Sequence, residues 1–342
     1  MPSKRRKVLG SIGGIALGSS LAGCADDGAG DGTASVTFGA STQGSSTFAG
    51  TQALQRAMSE HSDMVELTSQ ETPGSGPANL RLFEQGDIDG GGVDNFAVAR
   101  AINNEGEFED NPIDEIPYQG FYLFNVHLYM LAREGTDIET TADLPGANVW
   151  LNPPGTSVRP PTDLVLETAG IFDEINRFDM SRDDLPGALE EGNVDVIVGY
   201  GVGFNALPGW LTELDARSDF RAIESTDEFA QAIEDSPGVG LAEIEPYDWN
   251  QDLGVDTIAT WTMGQQFRFG SHLSPETVYE ITRVAHEHYE TAREADQTFP
   301  DFSDQELLTA ASLPDQVFHP GVADYLEEIG LWDDSWEVGS TD

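Results

Sequence analysis

Three loops rich in glycine, serine and threonine, at 41–47, 72–78 and 152–158, each follow a predicted β-strand. Small side chains leave backbone N–H groups uncovered, so such loops and the helix N-termini beyond them can bind an anion. In open α/β sheets, ligands bind beyond the carboxyl ends of the strands. One such loop is typical of an ordinary turn, but three in one chain predict a binding cleft.

Arg159 follows the third loop and is the predicted contact for an anionic group, because a guanidinium can hold a carboxylate through two parallel hydrogen bonds. The alternative is that Arg159 pairs with one of the many acidic residues. Asn79 and the hydroxyls of Ser45 and Thr47 are expected to orient the rest of the ligand from the opposite lobe. The full predicted ligand site is Gly44, Ser45, Ser46, Thr47, Ser75, Asn79, Asp94, Gly155, Thr156, Ser157, Arg159 and Tyr200.

Several catalytic and cofactor motifs are missing from the sequence. It has no Walker A motif, no HExxH or comparable zinc spacing, and no lysine after Lys7 that could form a Schiff base. The glycine-rich stretch at 199–203 lacks the central serine of a nucleophile elbow. We therefore expect no catalytic residue, no metal site and no cofactor. A surface hydrolase that uses paired carboxylates stays open as an alternative, although 61 acids make such pairs uninformative.

The charge of the chain is strongly negative, at −45, and after Cys24 twelve arginines face 61 acidic residues without any lysine. The acids are dispersed through the predicted helices and loops, which differs from the blocks of a disordered acidic tail. Such a surface is typical of halophilic proteins, because molar salt shortens the screening length to about 3 Å and suppresses repulsion. It also excludes nucleic acid as a partner.

The N-terminal 23 residues have the composition of an export signal. Four basic residues at 4–7, including Arg5 and Arg6, precede a weakly apolar stretch, as in twin-arginine signals. The sequence Leu-Ala-Gly-Cys at 21–24 resembles a lipobox, in which Cys24 would carry a lipid. Residues 24–34 are small and polar and predict a flexible tether. We expect a monomeric protein anchored as a lipoprotein to the outer face of the cell membrane.

Strand-like and helix-like segments alternate from residue 35 onward, which predicts an α/β fold. The pattern restarts after a long apolar run at 121–132, which indicates a strand that passes from one lobe to another. A second apolar run, at 194–198, predicts a further strand, and a helix is predicted from residue 275 to about 295. We predict a two-lobed periplasmic-binding-protein-like fold of type II, with the ligand cleft between two mixed sheets flanked by helices. Lobe I comprises 35–128 and 260–342, and lobe II comprises 129–259.

The order of short motifs along 35–332 resembles the TAXI family of solute receptors, which serve TRAP transporters, and the acidic surface indicates a haloarchaeal member. The resemblance covers the glycine-rich loop at 38–47, Gly-Ser and Asn-Leu at 74–82, Asp-Leu-x-Gly-x-x-Val at 143–149, the Pro-Gly loop at 154–159, the segments 166–170 and 192–195, and the C-terminal signature at 318–330. The chain departs from the family pattern at two expected ligand contacts, with Ser46-Thr47-Phe48 in the first loop and with Thr156-Ser157-Val158 where Ser-Gly-Thr is usual.

This resemblance implies a receptor that captures a small organic anion or an amino acid, such as glutamate, and delivers it to the membrane component of a TRAP transporter. An alternative is the binding protein of an ABC transporter, of the alkylsulfonate or thiamine-precursor type. A neighbouring gene for a multi-spanning permease or for an ATPase would distinguish these two receptors.

Overall fold

Ten strands and ten helices lie in residues 33–154, 156–313 and 316–341, which the computed structural model describes. The strands are β1 Ala34–Gly39, β2 Val65–Gln70, β3 Gly90–Asp94, β4 Tyr118–Arg133, β5 Asn148–Trp150, β6 Asn176–Phe178, β7 Val196–Val202, β8 Phe220–Ala222, β9 Gly240–Ile244 and β10 Ile258–Phe269. The helices are α1 Ser46–His61, α2 Gly76–Glu84, α3 Asn95–Asn103, α4 Arg159–Thr168, α5 Leu185–Glu190, α6 Gly209–Asp215, α7 Asp227–Glu234, α8 Pro275–Glu287, α9 Tyr289–Ala295 and α10 Pro320–Glu328.

All ten strands belong to one mixed sheet, whose main order is β2-β1-β3-β10-β4-β7-β5-β6. Strands β1, β2 and β3 are mutually parallel, and β5 is parallel to both β6 and β7. Strand β10 runs antiparallel between β3 and β4. This order, with two long strands shared by both halves, is that of a type II periplasmic-binding-protein fold, as predicted from the sequence.

The long strand β4 changes its main partner near its middle. Residues 126–128 pair both with β10 and with β7, and residues 129–132 continue along β7. Because β4 is antiparallel to β7 but points the same way as β3, the carboxyl ends of the first three strands face those of β5, β6 and β7. The sheet runs without a break across the predicted boundaries between the lobes. Those boundaries therefore remain a prediction.

Four phenylalanine side chains from β1, β4 and β10 pack together in the first half of the sheet. Phe38, Phe121, Phe267 and Phe269 are fully buried, and their ring centroids lie 5.3–6.0 Å apart in the contacting pairs. Tilted and edge-on rings at this spacing stabilise a core beyond the area that they bury. Phe38 is the next-to-last residue of β1, so this packing anchors the strand from which the first loop emerges.

Two predicted elements differ in the structure. The predicted strand at 194–198 extends through Val202, so the stretch at 199–203 is mostly strand and not a loop. Gly201 allows a close approach there, since a β-carbon at Gly201 would lie 2.2 Å from the hydroxyl of Tyr247. The helix predicted from residue 275 to about 295 is interrupted at His288, which has a non-helical ψ of 27°.

The export signal and the lipidation site at Cys24 lie outside the described residues, and both stay predictions. Within the described part of the chain, no helix has the length and apolar character needed to cross a membrane.

Candidate functional site

A cavity of about 950 Å³ lies beside the part of β4 at which its pairing with β10 ends and its pairing with β7 begins. Val126 and Val202, which pair with each other, both form part of its wall, and so do Phe124 and Gln265 from the two long strands. Loops at the carboxyl ends of strands from both halves of the sheet enclose it. This position beyond facing strand ends is where α/β proteins bind ligands.

The three loops predicted from the sequence converge on this cavity. All of residues 41–47 line it, together with 73–78 of the second loop and 156–158 of the third. Ser45 caps α1, and its hydroxyl accepts a hydrogen bond from the N–H of Phe48 at 3.2 Å. Of the predicted site residues, the wall includes Gly44, Ser45, Ser46, Thr47, Ser75, Asp94, Thr156, Ser157 and Tyr200. Gly155 lies outside the described residues.

Asp94 is the buried carboxylate of the cavity wall. Its side chain caps α3 by accepting a hydrogen bond from the N–H of Ala97 at 2.7 Å. Burial raises the pKa of the Asp94 carboxyl, although hydrogen bonds from backbone N–H groups oppose that shift. Only glycine fits at Gly76, because a β-carbon there would lie 2.3 Å from Oδ2 of Asp94. The first turn of α2 can therefore approach the carboxylate closely.

Asn79 lies outside the cavity wall, contrary to the sequence prediction. Its side chain is 1% exposed, and Nδ2 donates to the carbonyl oxygens of Gly39, Ala40 and Gly92 at 2.8–3.1 Å. Those carbonyls lie at the ends of β1 and within β3, so Asn79 ties two strands together. These contacts position the start of the first loop, and Asn79 does not line the cavity.

Arg159 is likewise absent from the cavity wall, and the alternative of an acidic partner is the one the structure shows. Nε lies 2.6 Å from Asp163 and Nη1 lies 2.6 Å from Asp179. Nη1 also donates to the carbonyl of Asn152 at 2.9 Å. Because Asp163 is one helical turn further along α4, the guanidinium follows that helix and is occupied by two carboxylates.

Arg182, which sequence reasoning missed, is the arginine that lines the cavity from the second half of the sheet. Its only side-chain hydrogen bond among the described residues is a 3.5 Å contact from Nη2 to Oδ1 of Asn152, and its buried Nε has no partner there. Within that part of the chain it makes no ion pair with a carboxylate. Its guanidinium carbon lies 5.2 Å from the ring centroid of Trp210, which also lines the cavity.

A second arginine, Arg100, lines the cavity from α3 but is already paired. Its Nη2 lies 2.7 Å from a carboxylate oxygen of Glu107, another residue of the wall. This pair also borders a smaller adjoining pocket of about 430 Å³ between α3 and α4. Of the two arginines that face the cavity, Arg182 is therefore the one available to an anion.

The chemistry of the wall favours binding. None of the six histidines lines the cavity, and the two carboxylates of the wall, Asp94 and Glu107, are engaged in a helix cap and an ion pair. Among the described residues, no group of three or more His, Cys, Asp or Glu side chains is arranged to hold a metal ion. The cavity can hold an organic solute through one arginine, short polar loops and aromatic rings.

No curated protein matches this sequence significantly. Solved structures resemble the chain at low identity. The periplasmic aliphatic sulphonate binding protein SsuA from Escherichia coli is 14% identical, with 81% of this chain and 79% of that chain covered and a TM-score of 0.42. A Bordetella pertussis extracytoplasmic solute receptor binding pyroglutamic acid, DctP7, is 13% identical, with 87% and 92% covered and a TM-score of 0.38. The probable amino-acid ABC transporter extracellular-binding protein ytmK from Bacillus subtilis is 10% identical, with 80% and 100% covered and a TM-score of 0.42.

The sequence matches a family model over residues 38–330, which include every strand from β2 to β10 and the whole cavity wall. This match extends over most of the chain and is independent of any single motif. The chain belongs to the NMT1-like family.

Proposed function

We propose that this protein is an extracytoplasmic solute-binding receptor that captures a small organic anion in the cavity between the facing strand ends. The observation that carries this proposal is Arg182. In a chain with 61 acidic residues, its guanidinium lines the cavity without an ion pair to any described carboxylate. An arginine that has no ion pair among so many carboxylates favours an anionic ligand, because hydrogen bonds between charged groups are stronger than those between neutral groups.

Capture without chemical conversion fits the composition of the wall. Hydrolysis would need a nucleophile beside a base, or two carboxylates that act as acid and base. The serines and threonines of the loops have no histidine among their neighbours in the wall, and Asp94 and Glu107 are already engaged. We therefore propose that the protein is not an enzyme.

For delivery, we propose the membrane component of a TRAP transporter as the partner, on the basis of the motifs that resemble the TAXI family. The membrane component of an ABC transporter is the second candidate, because a receptor with a ligand cleft between two walls can serve either kind of transporter. We further propose that a lipid on Cys24 holds the receptor at the outer face of the membrane. Uptake in reconstituted vesicles distinguishes the partners, since one requires an ion gradient and the other requires ATP.

A thermal-shift screen of organic acids and amino acids in molar KCl tests the receptor function. A ligand at one hundred times its dissociation constant stabilises the folded state by about 2.7 kcal/mol. For a protein of this size, that free energy raises the melting temperature by about 4 °C. Saturable stabilisation with one site per chain and an unchanged ligand supports the proposal. Conversion of the ligand, or stabilisation by none of the anions, contradicts it.

A further inference from the structure

The two walls of the cavity differ in character. The wall from the first half of the sheet consists mainly of short polar residues in the loops at 41–47 and 73–76, with Phe96 of α3 as its aromatic member. The opposite wall carries large apolar and aromatic side chains around Arg182. These are Val158, Tyr200, Val202, Leu207 and Trp210.

The aromatic side chains of the second wall are held in place from behind. Trp210 packs edge-on against the fully buried Trp150, with ring centroids 5.2 Å apart, and its centroid lies 5.9 Å from that of Tyr200. Arg182 lies over the same indole ring. The cation is thus fixed beside a rigid aromatic surface. That surface offers a flat ligand stacking contacts at little cost in side-chain entropy.

This wall also contains hydrogen-bond donors without acceptors. Nε of Arg182 and Nε1 of Trp210 are both buried, and neither has a partner among the described residues. Both atoms are closed to solvent, so neither reaches a molecule in the cavity, and the other N–H groups of the guanidinium are the donors that Arg182 can offer to a ligand there. An oxyanion supplies several acceptor atoms in one group.

From these observations we infer that the ligand is an aromatic or similarly flat apolar anion, whose carboxylate or sulfonate lies at Arg182 and whose body lies along Tyr200 and Trp210. The inference rests on the proposed receptor function and narrows its substrate class. A short aliphatic acid or a five-carbon amino acid leaves the apolar wall uncovered.

Pairs of anions with the same charged group test this inference. Benzenesulfonate is compared with methanesulfonate, and benzoate with acetate, by calorimetric titration of the full chain in molar KCl. Stacking and burial of the ring predict that each aromatic member binds at least about tenfold more tightly than its aliphatic counterpart. Equal affinities within both pairs would overturn the inference.

Variants of the cavity wall distinguish the contribution of the ligand's charged group to the affinity from the contribution of its ring. Arg182→Gln is expected to weaken all binding anions by at least about thirtyfold, because a buried charged partner is lost. Tyr200→Leu is expected to weaken the aromatic anions and leave the aliphatic ones unchanged. Trp210→Leu is expected to weaken both classes, and the aromatic anions more, because Trp210 also supports the guanidinium of Arg182. Arg177→Gln is the matched control, since Arg177 also lies over an aromatic ring, that of Phe172, but outside the cavity wall.

The possible outcomes distinguish the inference from the function on which it rests. If aliphatic acids or glutamate bind more tightly than the aromatic anions, and Arg182→Gln still weakens them, the receptor function stands and the inference is wrong. If none of the anions binds at millimolar concentration, both are wrong. If Arg177→Gln weakens binding as much as Arg182→Gln does, the assignment of the anion to Arg182 is wrong.

Discussion

Substitution of Arg159 by methionine should lower the stability of the protein and leave its affinity for ligand nearly unchanged. The guanidinium forms ion pairs with Asp163 and Asp179, both at 2.6 Å, and donates to the carbonyl of Asn152. Methionine retains the apolar stem but leaves both carboxylates and the carbonyl without their donor. The contacts with ligand should not change, because Arg159 does not line the cavity.

The size of the effect follows from the exposure of the three side chains. Arg159 exposes 10% of its side chain, whereas Asp163 exposes 28% and Asp179 exposes 53%. Breaking a fully buried pair costs about 3–5 kcal/mol, but exposed pairs contribute about 1 kcal/mol or less. We therefore expect a loss of about 2 kcal/mol, which corresponds to about 3 °C in the melting temperature of a protein of this size.

Thermal unfolding followed by circular dichroism, together with calorimetric titration of an anion that binds the wild type, measures both quantities. Arg217→Met is the control, because Arg217 also pairs with two carboxylates but exposes 44% of its side chain. That control should change the melting temperature by about 1 °C or less. The opposite result is expected if Arg159 contacts the ligand, which is one of the two possibilities that the sequence left open. An unchanged melting temperature with affinity weakened thirtyfold or more would show that Arg159 holds the ligand, and would refute this reasoning.

Three further predictions concern pH, salt and anchoring. Burial lowers the pKa values of His127 and His319 to about 4, so the unfolded chain, with a histidine pKa of about 6.5, binds protons first as the pH falls. Their contribution to stability is therefore present above pH 6.5 and lost towards pH 4, and a melting temperature that is constant over that interval would contradict this. Diluting KCl from about 3 M should lower the melting temperature, since repulsion among the acids of a chain at −45 is then less screened; equal melting temperatures at high and low salt would exclude a halophilic protein. Cys24→Ser should release the protein into the medium or leave an uncleaved precursor, and lysine at both Arg5 and Arg6 should block export. Cell fractionation measures both, and a processed, membrane-bound Cys24→Ser protein would show that no lipid on Cys24 anchors it.

The α/β fold class and the position of the loops followed from local sequence. Apolar runs at 121–132 and 194–198 predicted strands because a strand buried on both faces needs such runs. The Gly/Ser/Thr loops after β1, β2 and β5 marked strand ends that meet at the cleft, and nine of the twelve predicted site residues do line the cavity. The three-residue strands β6 and β8 were not predicted, because strands that short carry almost no periodic pattern.

The choice of arginine depended on the tertiary structure. Arg159 and Arg182 both follow short strands, and the sequence offers no reason to prefer the second. The difference comes from Asp179, which lies 20 residues from Arg159 along the chain but 2.6 Å from it in space. Trp210, which supports Arg182, comes from a separate loop and helix. Side chains that are distant in the sequence and meet only in the folded protein decide which arginine is neutralised and which one faces the cavity. Strand periodicity and loop composition, in contrast, depend on residues that are close together in the sequence.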